Sequence, residues 1–308
     1  MDAAKYIWMN GEFVAWDDAK VHVLSHTLHY GNGVIEGTKA YKTEKGYAIF
    51  RLNEHTKRLK ESAKMTLIDI PYSVEEMNKA QIDLIKKNEF TGDNVYLRPF
   101  AFLGYGVMGV YHKDAPVETV MSAWEWGAYL GEDGLKNGIK LKIASMTRPA
   151  NTSSMGKAKA TANYLNSQMA KYEAIDCGYD EALLLDDQGY VAEASGACFF
   201  MVKNGELITP PNDNSLESIT QKMVIEMAED FGIKVTRRRI TREEVYVADE
   251  AFLTGTAAEI TPIANIDART IGCGSRGPMT EKIQTMYFSI VFGKCEKYEH
   301  YLTYIDQQ

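Results

Sequence analysis

Asn10-Gly11 stands between two aromatic-rich arms in "YIWMNGEFVAW", and Asn204-Gly205 separates two apolar arms in "FFMVKNGELITP". An Asn-Gly pair takes up the left-handed backbone that a two-residue hairpin turn demands, so each stretch is expected to form two antiparallel strands. "TKAYKTEKGYAIF" repeats the scheme with a longer turn ending in Gly46, and Gln188-Gly189 marks another turn. Strands joined this closely favour antiparallel or mixed sheets over a doubly wound fold, whose parallel neighbours need long crossovers. Further strands are expected in "DNVYLRPFAFL", "TVMSAWEW" and "IKLKIASMTR". Three or four more fall within residues 180–209, and two precede the last helix.

Helices punctuate these strands. Asn53 is placed to cap one whose apolar stripe includes Leu59, Ala63 and Leu67. Ser73 starts the next, with Glu76 completing a capping box. Others are expected near 162–176, 219–231 and 279–292. At 308 residues the chain exceeds one small core and suits two domains. "GEDGLKNG", 131–138, is rich in glycine and charge and reads as a linker between domains at 1–130 and 139–308.

Composition removes several function classes. The chain is 45% hydrophobic and 25% charged, ordinary for a globular protein, and no long uncharged apolar run suggests a membrane span. The start carries Asp2 and reaches a turn without an apolar signal core, which reads as a mature cytosolic N-terminus. A net charge of −8 argues against electrostatic nucleic-acid binding. "RRR" at 237–239 reads as a strand with solvated charges. Cys177, Cys198, Cys273 and Cys295 form no CxxC pair and are expected as thiols in a reducing compartment. The six histidines show no ligand spacing, so no metal is expected.

No P-loop, nucleophile elbow or Rossmann fingerprint is present. "GNGVIEG" reads as a turn with a strand. What remains is "SSMGKAKATANYLNSQMAKYE", residues 153–173, where Lys157 and Lys159 lie among Ala, Gly, Ser and Thr. A lysine becomes a useful nucleophile when desolvated or when tied up covalently by a carbonyl group. Small neighbours would let a flat cofactor ring approach the backbone. The plainer reading, two exposed charges ahead of a helix, stands first on pattern alone. Glu193, in "YVAEASGACFF", ends an apolar run, where a carboxylate is costly unless paired. Its partner is either an internal cation or turn, or a group that carries a proton only when bound. "TGTAAEITPI" and the helix start after "SLESIT" can each hold an anion through backbone N–H groups, or be ordinary caps.

Six segments together resemble a known family: "VHVLSHTLHYGNGVIEGTKAY", "VYLRPFAFLGYGVMGV", "WGAYLG", "GKAKATANYLNSQ", "GYVAEASGACFF" and "TGTAAEITPI". They resemble, in order and over nearly the whole chain, the fold-type IV aminotransferases that use pyridoxal phosphate, and within these the branched-chain amino acid aminotransferases. The resemblance implies an α+β, two-domain architecture. A small N-terminal α/β domain would precede a larger C-terminal domain of mixed and antiparallel sheets and helices, with the cofactor at the domain interface.

By the same resemblance Lys159 is the catalytic, cofactor-bearing lysine, and Lys157 a neighbour without that role. Glu193 matches the carboxylate facing the pyridine nitrogen, and Tyr164 the tyrosine that bonds the phenolic oxygen. Arg58, Ile219, Thr220, Gly255 and Thr256 match phosphate- and cofactor-binding positions. Thr256 and Ala257 match the substrate-carboxylate turn, approached by Tyr96 and Arg98. Tyr30, Ile35, Trp126 and Tyr129 would build the apolar pocket. Met108 and Val110 lie on a loop that in this family crosses from a neighbouring subunit.

The implied reaction passes an amino group from leucine, isoleucine or valine to 2-oxoglutarate, in a cytoplasmic homodimer or larger homo-oligomer. Four departures bear on substrate preference rather than on the chemistry. Ile35 stands where many relatives have Phe, and Lys39 where many have Arg. "SLESIT" lacks a common Pro-Gly, and "KATAN" replaces residues that are often glycine. A D-amino acid aminotransferase is the nearest rival, followed by an aminodeoxychorismate lyase and a catalytically silent scaffold.

Overall fold

A computed structural model describes residues 3–305; Asp2, on which the reading of the N-terminus leans, lies outside them. The described chain forms two compact units. The first comprises the residues up to Gly127, Ala158–Ala162 and the segment from Ile290 onward; the second comprises Ala128–Lys157 and Asn163–Ser289.

In the first unit an antiparallel sheet runs in the order Leu302–Tyr304, Gly46–Phe50, Thr38–Thr43, Asn94–Leu103, Val117–Glu125, Tyr6–Met9 and Glu12–Ala15. Gly33–Ile35 also pairs with Asn94–Leu103. The first hairpin closes as expected: Met9 pairs with Glu12 across Asn10 and Gly11, whose φ angles are 51° and 99°. Helices Leu52–Met65 and Val74–Asn88 bury Leu59, Ala63, Met77 and Leu84 against Val95, Leu97 and Ala101 of the sheet. Full burial of Leu59 alone contributes about 1.5–3 kcal/mol.

Two expectations about the first of these helices need correction. It starts at Leu52, so Asn53 lies inside it and Arg51 is the boundary residue, in the left-handed conformation. Leu52 is 2% exposed, and burying it draws the helix start ahead of the polar cap. Arg51 is held there by Glu54 at 2.8 Å and by the Tyr301 ring. Leu67 leaves the stripe, 78% exposed at φ 59°, because the chain turns after Met65 and Ile68 takes the buried place. The second helix keeps its expected capping box between Ser73 and Glu76.

The second unit is built on a mixed sheet. Ile139–Thr147 runs parallel to both Glu181–Leu185 and Glu259–Ile266; Val191–Ala194 lies beyond Glu181–Leu185, and beyond Glu259–Ile266 come Glu250–Gly255, Cys198–Lys203, Glu206–Thr209 and Val235–Arg237. Lys203 pairs with Glu206 across the second Asn-Gly turn. Ile139, Leu141, Leu183, Phe199, Leu253 and Ile263 share its core. Helices Tyr164–Asp176, Ile219–Asp230 and Pro278–Val291 fall where periodicity placed them. The segment 131–138 contains a helix, Glu132–Asn137, bracketed by Gly131 and Gly138 at positive φ. The arginine run is strand only as far as Arg237. Arg238 pairs with Glu244 at 2.7 Å, and the Arg239 guanidinium lies over the Tyr190 ring.

Candidate active site

Lys159 is fixed through its backbone. Its N–H donates to Ser62 Oγ at 3.0 Å, and its carbonyl accepts from the Ile35 N–H at 3.0 Å. Ala160 forms a bridge with Val34, and the Thr161 hydroxyl donates to the Gly31 carbonyl at 2.6 Å. The small residues around this lysine therefore have a physical reason. Ala158 is 2% exposed and Ala160, bridged to Val34, is 8% exposed, while Lys159 itself is half-buried. Lys157, by contrast, is exposed and pairs with Glu217 at 3.6 Å.

Ser62 belongs to the helix Leu52–Met65, which also presents His55 and Arg58. Spacings of three and seven residues place all three on one face. Of these, His55 and Arg58 meet Glu36, which is fully buried just after Gly33–Ile35. Arg58 Nε donates to Glu36 Oε1 at 2.6 Å and Nη2 to Oε2 at 2.9 Å, while His55 Nδ1 lies 2.8 Å from Oε2. Burial pushes the Glu36 carboxyl up, but the Arg58 charge and the His55 hydrogen bond outweigh it and hold the group well below the usual carboxylate range. Burial lowers His55 against the pull of Glu36, and the charges of Arg58 and Lys159 act in the same direction as burial. A neutral imidazole that donates from Nδ1 satisfies both observations.

Next to Glu36, Gly37 leaves room for Tyr96: a Cβ at this position would lie 1.9 Å from the Tyr96 hydroxyl. Tyr96 packs against Trp124 and Trp126, and the Arg98 guanidinium covers Tyr96 and Trp124. Arg98 Nε is buried with no hydrogen-bond partner among the described residues. Tyr30 is exposed and its hydroxyl accepts from the Gly109 N–H at 3.2 Å, while His26 bonds the Gly109 carbonyl. Met108 and Val110 flank that tethered glycine and are 47% and 87% exposed. Lys39 is buried, with Nζ 5.3 Å from the Tyr41 ring centre. Its strand partner across the sheet is Tyr96.

In the second unit Glu193 is 9% exposed on the strand Val191–Ala194, and its Oε1 accepts from Arg148 Nη2 at 2.9 Å. An internal cation therefore answers the cost of burying this carboxylate. Ile219 and Thr220 open a twelve-residue helix whose cap, Ser218, accepts from the Gln221 N–H. The amides that begin such a helix have no partner within it. Gly255 ends the strand Glu250–Gly255, and Thr256 and Ala257 follow it in a half-buried turn. The neighbouring Thr254 hydroxyl is buried without a hydrogen-bond partner among the described residues. Tyr164 is the first residue of its helix, and Tyr129 is exposed with Lys171 Nζ 5.8 Å from its ring centre.

The pattern of the amino-transferase class IV family matches residues 33–266, a span holding every buried charge described above. The chain belongs to that family. This class IV aminotransferase is 48% identical to the branched-chain-amino-acid aminotransferase of Pseudomonas aeruginosa, over 97% of each chain. It also matches the crystal structure of the Escherichia coli branched-chain amino acid aminotransferase. There the TM-score is 0.95 and the identity 41%, over 98% of this chain and 99% of that one. The branched-chain amino acid aminotransferase of Thermobaculum terrenum, solved in its PLP-form, matches at a TM-score of 0.93 and 36% identity, over 99% of each chain.

Within this class IV aminotransferase, Lys159, Ile35, Arg58, Tyr96 and Arg98 fall in the first unit. Tyr164, Glu193, Ile219, Thr220 and Thr256 fall in the second. Sequence reasoning missed the supporting side chains Glu36, His55, Ser62 and Arg148. A legible signal existed for the first three. Glu36 is an acid in an apolar run, as Glu193 is, and His55, Arg58 and Ser62 repeat at helical spacing.

Proposed function

We propose that this protein is a branched-chain amino acid aminotransferase, moving the amino group of L-leucine, L-isoleucine or L-valine to 2-oxoglutarate. The products are the branched 2-oxo acids and L-glutamate. What carries the reading is similarity along the whole chain to enzymes of that name, with Lys159 present and braced. The donor set suits pyridoxal 5'-phosphate. It offers a half-buried amine at Lys159, a guanidinium at Arg58, a helix start at Ile219 and Thr220, and a buried carboxylate at Glu193. The orphaned Thr254 hydroxyl beside Gly255 and Thr256 adds a buried polar atom in want of a partner.

When bound, pyridoxal phosphate supplies the electron sink that draws the bonding pair away from the substrate's α-carbon. Lys159 would hold the cofactor and supply the base that moves the substrate's α-proton. Glu193, paired with Arg148 at 2.9 Å, would hold a proton on the ring nitrogen. Tyr164 bonds the phenolic oxygen. Arg58, the amides of Ile219 and Thr220, Gly255 and the Thr256 hydroxyl take the phosphate. Thr256 and Ala257 take the substrate carboxylate, a role to which Tyr96 and Arg98 also contribute. Tyr30, Ile35, Trp126 and Tyr129 wall the side-chain pocket, and Met108 and Val110 complete that of a second copy, so the working unit is a homo-oligomer. The four cysteines are free, which suits a cytoplasmic enzyme.

Borohydride treatment of the yellow protein followed by peptide mapping tests the core of this reading. The pyridoxyl label is expected on Lys159, and a label on Lys157 or on no lysine sinks it. A donor panel comparing L-leucine with D-leucine separates it from a D-amino acid aminotransferase.

A further inference from the structure

The strongest unassigned arrangement is the buried Glu36–His55–Arg58 group. Arg58 carries the phosphate role above, yet the structure already gives its guanidinium a carboxylate on the Nε–Nη2 edge, at 2.6 and 2.9 Å. Taken as a charge, Glu36 opposes that role. A fully buried carboxylate cancels the cation and repels a dianion nearby. Taken as a clamp, it helps, because a two-point contact fixes the plane of the guanidinium fork and sends its remaining N–H groups in one direction. The two effects have opposite signs, so the molecule can be asked which one governs.

We infer that Glu36, oriented by His55, is a positioning residue that holds the Arg58 guanidinium in the plane required to grip the cofactor phosphate. Three features carry this. Glu36 is fully buried, so its carboxylate is held on every side and cannot swing to solvent. His55 is itself 2% exposed and donates to the oxygen that also receives Arg58 Nη2. Both side-chain partners of Glu36 sit on the one helix, Leu52–Met65, whose Ser62 also receives the Lys159 N–H. A single rigid element thus sets the place of the phosphate-gripping cation and of the lysine backbone. The inference rests on the proposed role of Arg58 and concerns Glu36 and His55, which that role leaves out.

The test is the ratio of affinities of the cofactor-depleted full-length protein for pyridoxal 5'-phosphate and for pyridoxal, measured by absorbance titration. Pyridoxal lacks only the phosphate, so general damage to the fold lowers both affinities and leaves the ratio alone. Glu36→Gln keeps one acceptor for Arg58 and presents an NH2 to the other edge. The positioning role predicts a ratio lowered about tenfold or more, since misplacement of a gripping group costs on that scale. A ratio that rises shows that removing the negative charge is what matters, and an unchanged ratio shows that Glu36 plays no part; either overturns the inference.

Arg58→Lys and the double variant separate this inference from the reading on which it rests. If Arg58→Lys leaves the ratio unchanged, the phosphate role of Arg58 fails. If it lowers the ratio, Glu36→Gln must add little in that background, and a full additional loss refutes action through Arg58. Should Glu36→Gln not fold, His55→Gln carries the test, because it keeps the carboxylate and removes the ring that orients it. A lowered ratio then supports the inference and an unchanged one overturns it.

Discussion

Both units bury a carboxylate against an arginine, and they do so differently. Glu36 meets Arg58 at two points and His55 at a third, with no exposure at all. Glu193 meets Arg148 Nη2 at 2.9 Å, and Arg148 Nε is buried with no hydrogen-bond partner among the described residues. The two-point pair is a closed structural unit whose charges are matched within the fold. The second pair leaves donor capacity on its arginine, at Arg148 Nε, unspent. Burial of an acid therefore does not by itself mark one role; how fully its partners are matched separates a brace from a group placed for chemistry.

The largest expected effect tests the brace. Glu36→Ala strands a nearly buried guanidinium and the His55 N–H, and is expected to cost about 3–5 kcal/mol. Glu193→Ala removes the ion pair with Arg148 and is expected to cost about 1–3 kcal/mol. Urea unfolding of the two variants measures the difference, and equal losses would erase the contrast between the two pairs. Next comes catalysis: Glu193→Gln is expected to lower kcat by about a hundredfold at saturating cofactor, as loss of a preorganised electrostatic partner does. A kcat within twofold of the parent would mean that Glu193 too is only a brace.

A smaller effect lies in the pH dependence of the first pair. His55 is lowered from its ordinary 6.5, mainly by burial, and Glu36 is held below its ordinary 4.5. Each therefore binds more protons in the unfolded chain than in the folded one, over a window that opens at that ordinary value and extends downward. By linkage, both contributions to stability are present above those values and are lost as pH falls. His55→Gln removes the first window. The urea midpoint of the variant should fall less than that of the parent between pH 7 and pH 5. Parallel slopes would show that His55 does not titrate in this way.

Much of this was legible in the sequence where a local rule acts alone. The Asn10-Gly11 turn has the φ angles that only such residues adopt readily, and the Ser73–Glu76 box needs nothing beyond its own four residues. Legibility ended where a distant partner decides. Asn53 has a cap's chemistry, but burial of Leu52 moved the helix start ahead of it. The five-residue helix His26–Tyr30 is too short to show a period, and no spacing rule connects Glu193 to Arg148, whose meeting depends on the second sheet. For the site, Lys159 could be singled out only by resemblance, because nothing near it in sequence announces Ser62 or Ile35 as its anchors.

The smallest effect concerns two lysines that the sequence could not rank. Lys157 pairs with Glu217 at 3.6 Å, and both side chains are about half exposed, so water screens the pair. Lys159, two residues on, has its N–H and carbonyl tied to Ser62 and Ile35. Lys157→Ala is expected to change stability by less than about 1 kcal/mol and to leave the transamination rate at that of the parent, because the variant removes a solvated charge and no backbone anchor. The comparison sharpens if the Ser62→Ala variant, which strips the Lys159 N–H of its acceptor, destabilises by the larger amount usual for a lost buried hydrogen bond, about 1–3 kcal/mol. If Lys157→Ala proved the more damaging of the two, the backbone clamp could not be what distinguishes the working lysine from its neighbour.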